Sequence, residues 1–331
     1  MRVTSPLDLL LGDIFLTLSG VLPQAPVHLK LEGFNMAGSI KLKPAIHMIE
    51  ELERQGILKP GKKVIESSSG NLGVALSLVC RAKGYPFVCV SDPNLTSDNK
   101  QLIEAYGGEV IIADERDPNH GYLQSRLSLI ARRIEQDPAL VWTNQYANAD
   151  NKGAHSRWTG PEILREFPDL DVLVIGAGTT GTLMGCAEYV RQAAPNVRIF
   201  AVDAEGSVTF GHPAGKRFIP GLGTSRRPEL ADPTLVDDIL LIPEAETVSM
   251  CHWLLDKHQW LLGGSTGTVL AGVRRLAPLL RPSETVVAIS PDMGERYLDT
   301  VYNEEWLSRH HLSALPDSNS VFFPSVQGAS A

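Results

Sequence analysis

Several large protein classes need features that this chain lacks. Its four cysteines, Cys80, Cys89, Cys186 and Cys251, stand singly among apolar residues with no CxxC pair. Nothing supports a disulfide framework or a metal site, and reduced, buried thiols in a cytoplasmic setting are expected. Aromatic residues are only 6% of the chain, none interleaves with a Lys/Arg cluster, and the formal charge is -8, which disfavours a nucleic-acid partner. No apolar stretch reaches the roughly 20 residues that cross a bilayer. The opening MRVTSPLDLLLGDIF has one early arginine and a short apolar run broken by Asp8, Gly12 and Asp13, so no export and no membrane association are expected. Histidines form no catalytic or metal-binding set: His310-His311 sit near the tail, and His155 and His212 read as loop or helix-surface residues. Glu50-Glu51 fall on a solvated helix face.

What is present is an alternation of short apolar runs with longer amphipathic ones, which is the pattern of a parallel α/β sheet. Strands are predicted at 63–67, 87–91, 109–113, 171–176, 197–203, 237–242 and 285–290, with a further strand that passes into a loop across 140–151. Helices are predicted at Leu72–Lys83, Ser97–Tyr106, Gly121–Gln136, Lys152–Phe167, Gly181–Ala193, Glu244–Lys257 and Thr266–Leu280. Length and a 43% hydrophobic content allow about two domains. The Gly/Pro-rich stretch from Ala204 to Pro233 is too long for a plain connection and is expected to be functional or to lie over a site. From Ser313 the chain is Ser/Pro/Ala-rich without periodicity and reads as a flexible tail.

Three loops each join a strand to a helix and each offers donors to an anion. VIGAGTTGTLMG (174–185) supplies glycines for close backbone approach, threonine hydroxyls and a helix N-terminus, so phosphate is its natural guest. It also contains GxGxxG at Gly176, Gly178 and Gly181, with Asp203 at the end of the next strand, so a dinucleotide-binding dehydrogenase is a competing reading. ESSSGNLG (66–73) presents hydroxyls, an amide and a helix N-terminus suited to a carboxylate, although Ser69 or Asn71 reads equally as a helix cap. LGGSTGTVLAG (262–272) puts Ser265 where it is either an N-cap or a neutral hydroxyl for a heteroaromatic nitrogen. Lys41, at the mouth of the helix that follows GSIK, is either a solvated lysine or an amine used for chemistry.

GSIKLK, SSSGNLG, NQYAN, TGPEI, GAGTTGT and GGSTGT occur in the order and at about the spacing seen in the fold-type II pyridoxal-phosphate enzymes of the cysteine synthase and cystathionine β-synthase group. The chain resembles that group from about Leu11 to Leu312. The resemblance implies a tryptophan synthase β-like fold of two three-layer α/β/α domains with mainly parallel sheets. The smaller, mobile one would span 39–150 and bind the substrate carboxylate; the larger would combine 1–38 with 151–312 and bind the cofactor phosphate; 313–331 would be the tail. A homodimer is expected by the same likeness.

Carried over position by position, the resemblance makes Lys41 the Schiff-base lysine and general base, leaving Lys43 as its solvated neighbour. Gly178, Thr179, Thr180, Gly181 and Thr182 would hold the phosphate of pyridoxal 5'-phosphate, Thr180 standing where relatives commonly have glycine. Asn71 would hold the 3'-oxygen and Ser265 the pyridine nitrogen. Ser68, Ser69, Asn71 and Gln145 would bind the substrate carboxylate, with Leu72 replacing a frequent threonine. Arg126 and Tyr146 are candidates for a dianionic leaving group, although Arg126 also reads as a surface residue alongside Arg132 and Arg133.

Two positions depart from plain cysteine synthases: DIFL (13–16) stands for an NTPL-like start and SIKLK (39–43) for an SVKDR-like lysine loop. FNMAGSIKLK, VDAEGSVTF and IPGLGTSRRPE look more like the siderophore-precursor branch of the group. That likeness implies β-replacement on O-phospho-L-serine through an α-aminoacrylate, with the amine of L-glutamate as acceptor and a 2,3-diaminopropionate precursor as product. The competing readings are a cysteine synthase using O-acetylserine or O-phosphoserine with sulfide, a lyase finished by water, and a non-catalytic cofactor-binding regulatory protein.

Overall fold

Strands from distant parts of the chain gather into two sheets in the computed structural model, which describes residues 2–116 and 121–312. The predicted tail from Ser313 lies outside the described residues. The first sheet contains β1 (Phe15–Leu18), β2 (Val27–Leu31), β7 (Val172–Gly176), β8 (Arg198–Ala204), β9 (Asp238–Ile242) and β10 (Val286–Ser290) in the order β1-β2-β10-β7-β8-β9. Only the β1–β2 pair in it is antiparallel. The second contains β3 (Lys63–Ser67), β4 (Phe87–Ser91), β5 (Glu109–Ile112) and β6 (Leu140–Trp142), all parallel, in the order β5-β4-β3-β6.

Both sheets are covered on two faces, which is why their strands read as continuous apolar runs. Side chains alternate across the six-stranded sheet: Val172, Val174, Val286 and Ala288 join one core, while Leu173, Ile175, Val287 and Ile289 join another. Helix α9 (Gly264–Leu276) fills the first core with Val269, Leu270 and Val273, and α7 (Gly181–Ala193) fills the second with Leu183, Met184 and Val190. In the four-stranded sheet Val64 and Cys89 face α1 (Leu42–Arg54) and α2 (Asn71–Lys83), whereas Ile65 and Val90 face α4 (Leu123–Gln136) through Ile130. Helix α3 (Ser97–Ala105) begins under the cap of Thr96, whose hydroxyl accepts the Asn99 N–H.

The helix expected over 152–167 is divided. Helix α5 (Ala149–Ala154) passes into a π turn, His155–Thr159, and then α6 (Gly160–Glu166). Pro161 has no N–H to give the Arg157 carbonyl, and the Gly160 N–H reaches five residues back to His155, so the chain takes one wide turn. Near the end of the chain Pro278 acts similarly: α9 stops at Leu276 in a short 3-10 turn rather than reaching 280. Helices α8 (Glu244–His258) and α10 (Glu304–Arg309) complete the described elements.

The carboxyl ends of β3, β6, β7 and β10 all lead into one crevice, where parallel α/β sheets present loops rather than helices. No helix among the described residues is long and apolar enough to cross a membrane.

Candidate active site

A cavity of about 160 Å³ opens where these strands end, and it brings together every residue singled out above for cofactor or substrate. Lys41 enters it from the N-cap position of α1. Burial lowers the Lys41 amine from 10.5 to about 8, against the pull of the Asp292 carboxylate. A neutral amine is therefore accessible near neutral pH, as nucleophilic or general-base chemistry requires.

Opposite, the 176–182 loop makes an anion cradle. Thr180 precedes α7 in the left-handed conformation, φ 67°, which favours glycine and burdens a β-branched residue. Its buried Oγ1 has no hydrogen-bond partner among the described residues. A Cβ on Gly178 would stand 2.8 Å from the Gly221 carbonyl oxygen, and one on Gly221, itself at φ 113°, would stand 2.1 Å from Ser265 Oγ. These close approaches need glycine. Ser265, 3% exposed in the first turn of α9, thus faces the cavity across Gly221.

The 66–71 loop and the segment after β6 form another wall. Ser68 Oγ accepts the N–H groups of Gly70 and Gly73, at 3.2 and 2.9 Å, and shapes the turn into α2. Gln145 donates through Nε2 to the Ser67 carbonyl at 2.7 Å, and Asn151 donates to the Gln145 carbonyl at 2.6 Å and to Thr179 Oγ1 at 3.3 Å. Beneath them lies Glu66, fully buried. Its carboxylate accepts from the Ser67 and Gln145 N–H groups, Trp142 Nε1 and Thr143 Oγ1. Burial raises its pKa and these four donors oppose the rise. Glu66 holds the Gln145 wall in register from behind the cavity, a role unread in the sequence because it needs strand β3 beside β6.

Asn71 is not free in this arrangement: it donates to Asp292 Oδ2 at 2.7 Å and accepts from Arg296 Nη1 at 2.5 Å. Tyr297 OH also donates to Asp292 Oδ2, at 2.6 Å, while Asp292 Oδ1 is buried without a hydrogen-bond partner among the described residues. Asp292, Arg296 and Tyr297 carry no helical or strand periodicity, and only the return of the chain after β10 shows that they belong here.

Arg126 is no surface residue. It is 7% exposed on α4, lines the cavity beside Tyr146 and pairs with Asp92 at 3.4 Å; Arg132 and Arg133 on the same helix are exposed. Burial raises the Tyr146 phenol, with Arg126 pulling it back.

Two expectations fail. Lys43 is not solvated: at 2% exposure it pairs with Glu32 at 2.8 Å and Glu162 at 2.6 Å, in a buried cluster that Lys30 completes. Burial alone would lower its pKa, but the two carboxylates outweigh that and raise it. His155 is likewise no surface residue: fully buried in the π turn, it bonds Thr159 Oγ1 at 2.9 Å and Thr182 Oγ1 at 3.2 Å. The sequence places it on a helix, and the wide turn rotates it inward. Asp203 is buried and stands outside the residues that line the cavity.

The orphaned Thr180 hydroxyl, the glycine-lined approach and the accessible amine of Lys41 fit a phosphorylated aldehyde. A family model described as pyridoxal-phosphate dependent enzyme matches residues 16–292. The N-(2-amino-2-carboxyethyl)-L-glutamate synthase of Ralstonia nicotianae is 40% identical over 304 residues, covering 92% of this chain and 90% of the relative. That of Cupriavidus metallidurans is 38% identical over 308 residues, covering 90% of each. A crystal structure of O-ureido-L-serine synthase superposes with a TM-score of 0.84 at 30% identity, covering 93% of this chain and 100% of its own. Because the family match takes in every loop that lines the cavity, this chain belongs to the pyridoxal-phosphate dependent enzymes of fold type II, with pyridoxal 5'-phosphate as its cofactor.

Proposed function

We propose that the enzyme replaces the phosphate of O-phospho-L-serine with the amine of L-glutamate, giving N-(2-amino-2-carboxyethyl)-L-glutamate and inorganic phosphate. In the net reaction the Cβ–O bond breaks with its electron pair on phosphate, a Cβ–N bond forms, and the amine gives up a proton. The observation that carries the reading is the buried guanidinium of Arg126, set in the same cavity as Lys41 beside Tyr146, its Nε 3.4 Å from the Asp92 carboxylate. A cation held out of water beside an amino-acid site suits a dianionic leaving group. The names of the two bacterial relatives support this choice of product.

When bound, the cofactor supplies the electron sink that acidifies Cα–H and lets the β-substituent depart. The residues divide the remaining work. Gly178, Thr179, Thr180, Gly181 and Thr182 hold the cofactor phosphate, Asn71 the 3'-oxygen and Ser265 the pyridine nitrogen. As a neutral hydroxyl, Ser265 leaves that nitrogen without the full charge a carboxylic acid partner would give it. Ser68, Ser69, Asn71 and Gln145 bind the substrate carboxylate, and Lys41 removes the Cα proton. Arg126 and Tyr146 meet the leaving phosphate. The segment 39–150 closes over the bound amino acid, two copies of the chain associate, and the buried thiols suit a reducing cytoplasm.

The test is titration of purified holoenzyme with O-phospho-L-serine, following the visible spectrum and phosphate release, then competition among L-glutamate, sulfide and water as acceptors. L-Glutamate should give the product fastest; faster cysteine or pyruvate formation would reject the acceptor. Arg126→Ala should lower kcat/KM for O-phospho-L-serine about 100-fold, reflecting loss of a buried charge-assisted contact. Unchanged turnover would remove Arg126 from the site.

A further inference from the structure

Two anionic substrates need two separate cationic positions, and Arg126 accounts for one. The loop between β8 and β9 carries the other. Residues 216–227 include Lys216, Arg217, Arg226 and Arg227 and no acidic residue, in a chain of net charge -8. Arg226 is committed to Glu229. Arg217 makes no ion pair within 4 Å among the described residues, although the charges of Asp203 and Glu244 act on it. Its only hydrogen bond among the described residues is a 3.5 Å contact from Nη1 to the Leu222 carbonyl, and its buried Nε has none.

The guanidinium lies against the cavity wall. A Cβ on Gly223 would stand 2.0 Å from Arg217 Nη1, and Gly223 lines the cavity together with Gly221 and Thr224. Asp203 and Glu244 act on the guanidinium through their charge without bonding it: Glu244 Oε1 accepts the N–H groups of Phe218 and Ile219 at 2.7 and 2.6 Å, Asp203 Oδ1 accepts that of Ala204 at 2.8 Å, and Asp203 Oδ2 is buried without a hydrogen bond among the described residues. The wall itself is braced by a buried chain of hydroxyls. Ser207 to Thr209 and Thr209 to Thr224 are each 2.9 Å, and the Thr224 N–H donates to Ser207 at 3.1 Å. Tyr146 is electrostatically coupled both to Arg126, from the four-stranded side, and to Arg217, from the six-stranded side.

We propose that Arg217 forms the carboxylate-binding half of the acceptor subsite, taking the side-chain carboxylate of the second substrate while its amine faces the cavity. This assignment rests on the acceptor being an acidic amino acid, as proposed above. A half-buried guanidinium with an unused edge suits a planar carboxylate, because the fork of donors matches its two oxygens. The neighbouring cations Lys216 and Arg227 raise the local concentration of an anionic acceptor.

The test compares the holoenzyme with Arg217→Gln and Arg217→Lys. In Arg217→Gln the KM for L-glutamate should rise about tenfold or more, the loss expected when a charged carboxylate contact is removed. The KM for O-phospho-L-serine should move less than about twofold, and Arg217→Lys should recover part of the loss. L-Glutamine, which keeps the backbone and loses the charge, should be insensitive to the substitution. Equal losses for L-glutamate and L-glutamine would overturn the proposal. Equal thermal midpoints and cofactor absorbance establish folding, and Arg217→Lys is the deciding variant where Arg217→Gln does not fold. Should the wild type prefer sulfide, the acceptor reading fails. Glutarate then decides Arg217 alone: weaker inhibition of the variant supports the carboxylate subsite, and an unchanged inhibition constant rejects it.

Discussion

An ammonium group buried near a single carboxylate loses more hydration than it regains in attraction, and Lys41 is in that position beside Asp292. The consequence is measurable in the apoprotein. Capture of pyridoxal phosphate requires the neutral amine, so the reconstitution rate should rise with pH and level off above about 8, well below the 10.5 of a solvated lysine. Stopped-flow absorbance across pH 6 to about 10 checks this; a rate still climbing steeply near the upper end would contradict the burial argument. Lys43, two residues away, goes the other way because the carboxylates of Glu32 and Glu162, 11 and 119 positions distant in sequence, outweigh the cost of its burial. Motif spacing singled out Lys41, but only tertiary contacts separate a lysine kept charged from one made easy to neutralise.

At the scale of elements, strands and helices were legible wherever periodicity and punctuation agreed. Gly84 ends α2 in a left-handed C-cap, and apolar runs such as VLVIG became strands buried on both faces. The exceptions are instructive. The 152–167 segment has a helical pattern, yet Pro161 forces the π turn, and that turn carries His155 to Thr182 and Thr159 to the charge cluster. In that cluster Glu162 on α6 meets Lys30 of β2 at 3.0 Å and Lys43 of α1 at 2.6 Å, so one carboxylate ties three elements together. Glu162→Gln should leave two buried ammonium groups sharing Glu32, at a cost of about 3 kcal/mol. Urea unfolding of the apoprotein measures it, and a loss below about 1 kcal/mol would show that water reaches the cluster. Adding Lys43→Met to Glu162→Leu should restore much of the stability, since the cost lies in unpaired charge rather than in a missing attraction.

Considered as a whole molecule, the cavity lies between two sheets whose strand orders were not readable from the chain, because parallel pairing is set by crossover packing rather than by local pattern. What was readable is that several strand ends would converge, since each led into a donor-rich loop. One bridge between the two sheet systems at the cavity is Asn71, the first residue of α2, held by Asp292 and Arg296 from the segment after β10. Arg296 also donates to the Ala37 carbonyl at 2.7 Å, so one side chain latches the start of α2 to the loop that presents Lys41. If Asn71 is to reach cofactor and substrate when the smaller sheet closes, these contacts must be exchanged, and the free energy of closure includes their loss. Arg296→Met removes its bonds to Asn71 and Ala37 in advance and leaves the bond from Asn71 to Asp292. Amide exchange of residues 67–73 in the substrate-free holoenzyme should then speed up about tenfold, the equivalent of one charge-assisted hydrogen bond. Addition of O-phospho-L-serine should slow exchange there in both proteins and by a larger factor in the variant, because the variant starts from the looser state and both end closed. Exchange at 67–73 that ignores the substrate in the wild type would mean that the loop is already in its working position and that closure has no part in the reaction.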